Sequence, residues 1–242
     1  MIDRSVQIKL SYTSIQRSGA NNQPLQAYTA QPTRDERLPA VLIIHEIYGL
    51  NDSIRNLAHN LAEQGYISLA VDLFSGSSRL VRRAQAMMGM AKRQLHHGIQ
   101  SDLQSALEYL HSHGDADPDR LAVIGFGMGG SYALNFASQD PRLKAAAVYF
   151  ALKPQLCEIT PQTCPIVGSF PENDFTTEDG RQLQEALQSQ GIPCDIKLYP
   201  QTLHSFTNEF TPAYSAAASE DSWNRLVTFF GTHLANRERN QL

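Results

Sequence analysis

The stretch Gly125-Phe126-Gly127-Met128-Gly129-Gly130 indicates the fold most clearly, because it joins a predicted strand at residues 121–124 to a predicted helix at residues 131–138. Glycines at such a junction fit two kinds of site. The first, third and sixth residues of the stretch match G-x-G-x-x-G, the pattern of a dinucleotide-binding turn. The first, third and fifth match a nucleophile elbow, in which small neighbours let a sharp turn raise a Ser or Cys above the sheet.

The dinucleotide interpretation lacks its second requirement, an acidic residue at the end of the following strand that binds the ribose hydroxyls. That strand ends Val-Tyr-Phe-Ala-Leu at residues 148–152, and the first acid after it is Glu158. The elbow is therefore preferred, with Gly127 at the position of the nucleophile. Glycine adopts the strained backbone of an elbow without steric cost, but it carries no attacking atom.

Strands and helices alternate from about residue 40 onward. Residues 40–44 form a continuous apolar, β-branched run, which is typical of a central parallel strand buried on both faces. Asn51 and Asp52 are suited to cap the next helix and Gly65 to end it. Further strands are predicted at residues 67–71, 121–124, 145–150, 165–168 and 196–199, and further helices at 99–111, 131–138, 178–190 and 216–234.

The beginning of the chain differs, because polar and apolar residues alternate in segments 6–12 and 25–29. These segments predict an antiparallel hairpin at the sheet edge. Together the elements predict one α/β domain over residues 1–242. Its central sheet is mostly parallel, with helices on both faces and an antiparallel N-terminal edge.

Composition excludes several classes of protein. The 242 residues carry 20 Lys and Arg against 24 Asp and Glu, a net charge of −4, so nothing attracts nucleic acid to the chain as a whole. The longest purely apolar run, residues 145–152, is far shorter than a membrane span. Three cysteines, Cys157, Cys164 and Cys194, indicate neither a disulfide framework nor a zinc site. No apolar signal core follows Met1, so we expect a soluble, cytoplasmic protein.

Three more candidate site segments follow predicted strands, where sheets of this type bind ligands. His45-Glu46-Ile47-Tyr48-Gly49 follows the first buried strand, Asp174 follows the strand at 165–168, and His204 follows the strand at 196–199. The order elbow, acid, histidine is that of α/β-hydrolases, in which the carboxylate orients the imidazole and the imidazole moves the proton. Taken singly, Asp174 also fits a turn and His204 a packed core position.

On these segments the chain resembles the dienelactone hydrolase family of α/β-hydrolases over essentially its whole length. The likeness rests on residues 45–51, 65–74, 125–130, 174, 199–206 and 214–218. It implies the α/β-hydrolase fold and hydrolysis of an ester or lactone by a Cys-His-Asp triad, with no metal or cofactor. By position it further implies catalytic roles for Asp174, His204 and Glu46, the last in contact with the resting thiol, and oxyanion-binding backbone amides at Ile47 and Met128.

The chain departs from the family at two places. Gly127 stands where the family's usual Cys is expected, and the basic residue that often follows the histidine is absent from Phe206-Thr207-Asn208. We therefore expect weak hydrolysis, with water activated by His204 in place of the nucleophile. Two alternatives are a pseudoenzyme that binds a small carbonyl compound or acid as a sensor or carrier, and an inactivated variant of a Cys or Ser hydrolase.

A basic segment lies between Asp72 and Asp102, where five Lys and Arg residues occur with no acid. By position it covers the strand ends, where its charge would attract an anionic ligand. Arg79 and Arg82 of this segment, together with Tyr48, are candidate substrate-binding residues. The alternative is an ordinary solvated helix face with methionines 87, 88 and 90 packed beneath it.

Overall fold

The computed structural model describes residues 7–17, 23–76, 78–155 and 157–236. Residues 1–6 lie outside this range. The structure therefore does not describe the start of the chain, where an export signal is predicted to be absent, or the first residue of the predicted hairpin. Within the described residues, eight strands form one sheet in the order β1-β2-β4-β3-β5-β6-β7-β8. The strands are β1 Ile8–Ile15, β2 Leu25–Pro32, β3 Leu38–Ile44, β4 Ile67–Asp72, β5 Ala116–Phe126, β6 Leu143–Tyr149, β7 Ile166–Pro171 and β8 Cys194–Tyr199.

Strand directions confirm the predicted mostly parallel sheet with an antiparallel N-terminal edge. β1 pairs antiparallel with β2, and β2 pairs antiparallel with β4. All strands from β4 across to β8 pair in parallel. The run at residues 40–44 is buried throughout, as expected of a strand that has helices on both sides. Gly125 pairs with Ile44 on one side and Val148 on the other, so the elbow emerges from the middle of the sheet.

Helices cover both faces of the sheet. They are α1 Asp52–Glu63, α2 Arg79–Ala91, α3 His97–His111, α4 Met128–Gln139, α5 Thr177–Ser189 and α6 Ala216–His233. On one face Ile43 of β3 belongs to the same core cluster as Leu61 of α1 and Phe230 of α6. On the other face Ile44 shares a cluster with Leu107 of α3 and with residues of α4 and α5. None of the described helices has the length and apolar content needed to cross a membrane.

Local signals explain the helix that follows β3. The Asn51 side chain accepts a hydrogen bond from the Ile54 amide, which satisfies one of the free donors at the start of α1. Gly65, at a φ of 94°, ends the segment in a left-handed conformation that favours glycine. Both predicted caps are thus confirmed. The α4 helix begins at Met128, three residues earlier than the apolar pattern indicates.

The basic segment forms α2, which covers the strand ends only loosely. Ala86 is its one buried residue, and Met90 is partly buried against the core. Met87 and Met88 are exposed, so the predicted packing of these two methionines beneath the helix is wrong. The reason is the helical period: Ala86 and Met90 are four residues apart and share the inward face, whereas Met87 and Met88 point elsewhere.

Candidate active site

The elbow places Gly127 alone between β5 and α4, with φ 50° and ψ −113°. A side chain at this left-handed φ strains the backbone by about 1–3 kcal/mol, whereas glycine does not. Its neighbours must be small as well. A Cβ on Gly125 would lie 2.1 Å from the carbonyl oxygen of Gly129, and a Cβ on Gly129 would lie 2.2 Å from that of Ile44. Because neither glycine has a Cβ, the start of α4 can lie directly against the ends of β3 and β5.

Asp174 and His204 are joined directly, as their order in the sequence predicts. His204 Nδ1 lies 2.8 Å from Asp174 Oδ2. A carboxylate only accepts hydrogen bonds, so Nδ1 carries the proton and Nε2 presents a lone pair. Burial works against ionisation of Asp174, but the hydrogen bonds from His204 and Thr176 outweigh it and hold the pKa of Asp174 below its ordinary value. The carboxylate is therefore ionised and fixes the imidazole tautomer.

The free nitrogen of His204 faces Gly127. A Cβ built on Gly127 would lie 3.4 Å from His204 Nε2, 3.6 Å from Cβ of Glu46 and 3.8 Å from the ring of Phe150. All three are ordinary van der Waals distances. Nε2 has no hydrogen-bond partner in the part of the chain that the structure describes. The elbow thus offers space for a small group directly beside the basic nitrogen.

Two phenyl rings hold the imidazole between them. The Phe175 ring stacks on it, with centroids 4.8 Å apart and planes 21° apart. The Phe150 ring meets it edge to face, also at 4.8 Å. Phe150 is fully buried and has a positive φ of 40°, whereas the Phe175 side chain is 61% exposed. The pair therefore has an inner aromatic wall that is fixed and an outer one that solvent or a ligand reaches.

Glu46 lies beside the same space but is bonded away from it. The Ser205 hydroxyl donates to Oε2 at 2.6 Å, and the Asn208 amide donates to Oε1 at 3.1 Å. Burial raises the pKa of Glu46 above its ordinary value, and these two hydrogen bonds only partly offset the effect. A cavity of about 380 Å³ between α1 and α6 also borders Glu46, although neither Gly127 nor His204 lines it. Glu46 thus adjoins two separate spaces.

His45 holds the loop that carries Glu46. The imidazole is fully buried, and Leu73 donates its backbone N–H to Nε2 at 3.1 Å. Nδ1 therefore carries the proton and donates to the Glu46 carbonyl oxygen at 2.7 Å. Burial lowers the pKa of His45, in keeping with a neutral ring. These bonds tie the loop after β3 to the end of β4.

Two backbone amides are free near the elbow. The N–H groups of Ile47 and Met128 have no hydrogen-bond partner within the described residues. Met128 begins α4, so its amide lies at the positive end of the helix dipole. Ile47 follows Glu46 in the loop that lies against the start of α4. Their placement is what an oxyanion hole requires, namely unpaired donors beside the nucleophile position.

The other candidate binding residues lie outside this group. Tyr48, which follows Ile47, is 52% exposed. Arg79 pairs with Asp72 at 2.7 Å. Arg82 pairs with Asp102 and donates to the Leu73 carbonyl oxygen. Substrate binding by Tyr48, Arg79 and Arg82 stays a prediction, and both guanidinium groups already have carboxylate partners.

None of the three cysteines is disulfide-bonded. Cys157 and Cys164 are buried, and burial raises the pKa of each thiol, that of Cys164 to about 12. Burial also raises the pKa of Cys194, at the first position of β8. A raised pKa keeps a thiol protonated and weakly nucleophilic.

Sequence reasoning missed four residues of this arrangement: Phe150, Phe175, Ser205 and Asn208. Phe175 and Ser205 are direct neighbours of Asp174 and His204, and that adjacency was the available signal. Phe150 read only as the last residue of a strand. Asn208 lies in the segment where the expected basic residue is absent. Its hydrogen bond to Glu46 joins residues 162 positions apart, and no local pattern reveals such a contact.

The chain is similar to known proteins over most of its length. The profile of the "Dienelactone hydrolase family" matches residues 25–234. The Escherichia coli (strain K12) protein named "Putative carboxymethylenebutenolidase" is 27% identical over 239 residues, which are 92% of this chain and 87% of that protein. The Bradyrhizobium sp protein named "Probable 2-oxo-3-(5-oxofuran-2-ylidene)propanoate lactonase" is 27% identical over 234 residues, covering 90% of this chain and 94% of that protein.

The fold also matches solved structures. A dienelactone hydrolase-like promiscuous phosphotriesterase from metagenomic libraries superposes with a TM-score of 0.80. The match covers 93% of this chain and 99% of that chain at 20% sequence identity. At that identity the likeness establishes the fold alone.

Proposed function

The chain belongs to the dienelactone hydrolase family, and from this premise we propose that it hydrolyses a small carboxylic ester or lactone with water in place of a nucleophilic side chain. One observation carries the proposal. His204 Nε2 faces the Gly127 position, where an added Cβ would make only van der Waals contacts, while Nδ1 is held by Asp174. A base that is oriented and unoccupied, beside room for a small molecule, is what general-base hydrolysis needs.

In the proposed reaction, a water at the Gly127 position lies near His204 Nε2. Nε2 accepts a proton from this water as its oxygen bonds to the substrate carbonyl carbon. Asp174 stabilises the resulting imidazolium. When the tetrahedral intermediate collapses, the bond to the alkoxide breaks and the imidazolium returns the proton to that leaving group. A single addition and elimination thus replaces the acylation and deacylation of a covalent mechanism.

The negative charge that develops on the carbonyl oxygen is assigned to the amides of Ile47 and Met128. Free N–H donors that are already oriented cost no reorganisation when the charge appears. Such donors and substrate binding sustain about 10³- to 10⁴-fold catalysis over water when a triad member is missing. We therefore expect weak but measurable activity. Glu46 has no thiol to contact here, and its side chain packs beside Gly127.

The test is hydrolysis of p-nitrophenyl acetate and simple lactones by the unmodified protein, by His204→Ala and by Asp174→Asn. The unmodified protein should turn over both substrates. His204→Ala should abolish the activity, and Asp174→Asn should reduce it strongly. An unchanged rate in His204→Ala would refute the mechanism.

The second candidate is binding without turnover, and the glycine at position 127 favours it. A protein of this kind would use the same space to hold a small carbonyl compound or acid as a sensor or carrier. Thermal-shift screening with small carboxylates and ketones tests it, because a ligand that binds the native state alone raises the melting temperature. A stabilising ligand together with no hydrolysis would select this function, and hydrolysis lost in His204→Ala would select the first.

A further inference from the structure

We propose that the cleft takes an uncharged substrate that carries a planar apolar group, and that the exposed ring of Phe175 selects it. This inference rests on the proposed hydrolytic site, because it concerns the groups that border the His204 imidazole. Two independent sets of observations lead to it, one on apolar surface and one on charge.

Exposed apolar side chains adjoin the site residues along the chain. The ring of Phe175 stacks on the imidazole from the solvent side and is 61% exposed. Leu203, which directly precedes His204, is 58% exposed, and Tyr48 follows the oxyanion amide of Ile47. Large apolar side chains left in water beside a catalytic pair are typical of a ligand-binding rim. The exposed face of the Phe175 ring offers a flat group a stacking surface beside His204.

Charge at the site excludes an anionic partner. Glu46 and Asp174 contribute two carboxyl groups beside the reacting position, and their partners are Ser205, Asn208, Thr176 and His204. Within the described residues, no Lys or Arg side chain contacts either carboxyl group. A substrate carboxylate placed here would face two acids without a cation to offset them.

The basic segment does not supply that cation. Arg79 pairs with Asp72, Arg82 with Asp102, and Arg93 with Asp179, which it contacts through two nitrogens. Each of these guanidinium groups is thus neutralised by a carboxylate already present in the fold. Three of the five positive charges are therefore paired with acids of β4, α3 and α5.

The experiment measures binding, so it does not depend on turnover. Benzylacetone and hydrocinnamate have the same phenyl group and chain and differ in a methyl group against a carboxylate oxygen. Their dissociation constants for the unmodified full-length protein are measured by ligand-observed NMR or calorimetry. At an effective dielectric constant of about 20, repulsion between like charges within the site weakens anion binding by about tenfold or more. Benzylacetone should therefore bind at least about tenfold more tightly.

Three further arms assign the cause. Phe175→Ala should weaken the binding of benzylacetone by about 2- to 12-fold, the range for one aromatic pair. The parent should bind benzylacetone more tightly than its cyclohexyl analogue, and Phe175→Ala should bind the two equally. Tyr12→Ala is the matched control, since Tyr12 is an exposed aromatic residue on β1 at the far edge of the sheet. Glu46→Gln should tighten the binding of hydrocinnamate.

Equal or tighter binding of hydrocinnamate would overturn the inference, as would a Phe175→Ala variant that binds both ligands like the parent, or binding of neither ligand. Failure of the hydrolytic mechanism has a different signature. In that case benzylacetone would still bind with the predicted preference, while ester turnover would be absent or independent of His204.

Discussion

Installing a nucleophile at the elbow, by Gly127→Cys, tests the geometry of the site in depth. The new Cβ would lie 3.4 Å from His204 Nε2 and 3.6 Å from Cβ of Glu46, so no neighbour has to move. The cost comes from the backbone, because φ is 50° at this residue. A non-glycine residue there costs about 1–3 kcal/mol. In a chain of this size that lowers the melting temperature by roughly 2–12 °C.

The chemical gain should far exceed this cost. A thiol one bond beyond that Cβ comes within hydrogen-bond reach of Nε2, which would convert it to the nucleophilic thiolate. Loss of the nucleophile from a complete triad lowers kcat by about 10⁶. A nucleophile added without further adjustment should recover part of that range, and we expect an increase of about 10²- to 10³-fold in the rate of ester cleavage.

The assay is stopped-flow cleavage of p-nitrophenyl acetate. Gly127→Cys should show a burst of p-nitrophenol equal to the enzyme concentration, followed by slower deacylation. Gly127→Ala is the matched control, because it carries the same backbone strain without a thiol and should show no burst. Adding His204→Ala to Gly127→Cys should remove the burst. A folded Gly127→Cys variant that is as inert as Gly127→Ala would refute the assignment of the elbow.

Three other predictions concern stability and reactivity. Asp102→Ala should destabilise the fold by about 3–5 kcal/mol in urea unfolding, because it leaves its two arginine partners without a counter-charge, whereas removal of the exposed acid in Asp52→Ala should cost under about 1 kcal/mol. Burial raises the pKa of Glu46, so between its ordinary and its raised pKa the folded state binds more protons than the unfolded state, and stability should fall as pH rises through that window. Glu46→Gln should remove this dependence when unfolding is measured from about pH 4 to pH 8. Equal slopes of stability against pH in the two proteins would contradict the prediction. The buried thiols of Cys157 and Cys164 should react with an aromatic disulfide reagent only after denaturation, and rapid reaction of both in the native protein would count against their burial.

Much of the fold was predictable because its signals are local. The buried run at residues 40–44, the Asn51 cap and the glycine-rich junction each specify a conformation within a few residues. The pairing of Asp174 with His204 was predictable for a different reason. Both follow parallel strands, and the carboxyl ends of neighbouring parallel strands meet at one edge of the sheet.

The electrostatic character of the site was not predictable in the same way. A count of charges in the sequence shows five positive residues between Asp72 and Asp102, but it does not show which of them are already paired. Arg93 and Asp179 are 86 residues apart, and the pairing of Arg17 with Asp102 likewise joins distant segments. Such pairs depend on how α2, α3 and α5 pack around the sheet, which no local pattern encodes.

The aromatic enclosure of His204 was missed for a related reason. Phe150 approaches the imidazole only because its φ of 40° turns the chain at the end of β6. Phe175 stacks on the ring because it follows Asp174 in a loop that reaches across to His204. Both contacts require the three-dimensional positions of two strand ends, and hydrophobic periodicity carries no information on those positions.

The central claim is that His204 activates water directly and that no side chain forms a covalent intermediate. Rapid-quench mass spectrometry of the unmodified protein during turnover of p-nitrophenyl acetate, with His204→Ala alongside, tests it most directly. We expect p-nitrophenol to be released linearly with time from the first turnover, no acetylated protein to form, and the rate to be lost in His204→Ala. Stoichiometric acetylation of the protein on the pathway, or a rate that survives in His204→Ala, would contradict it.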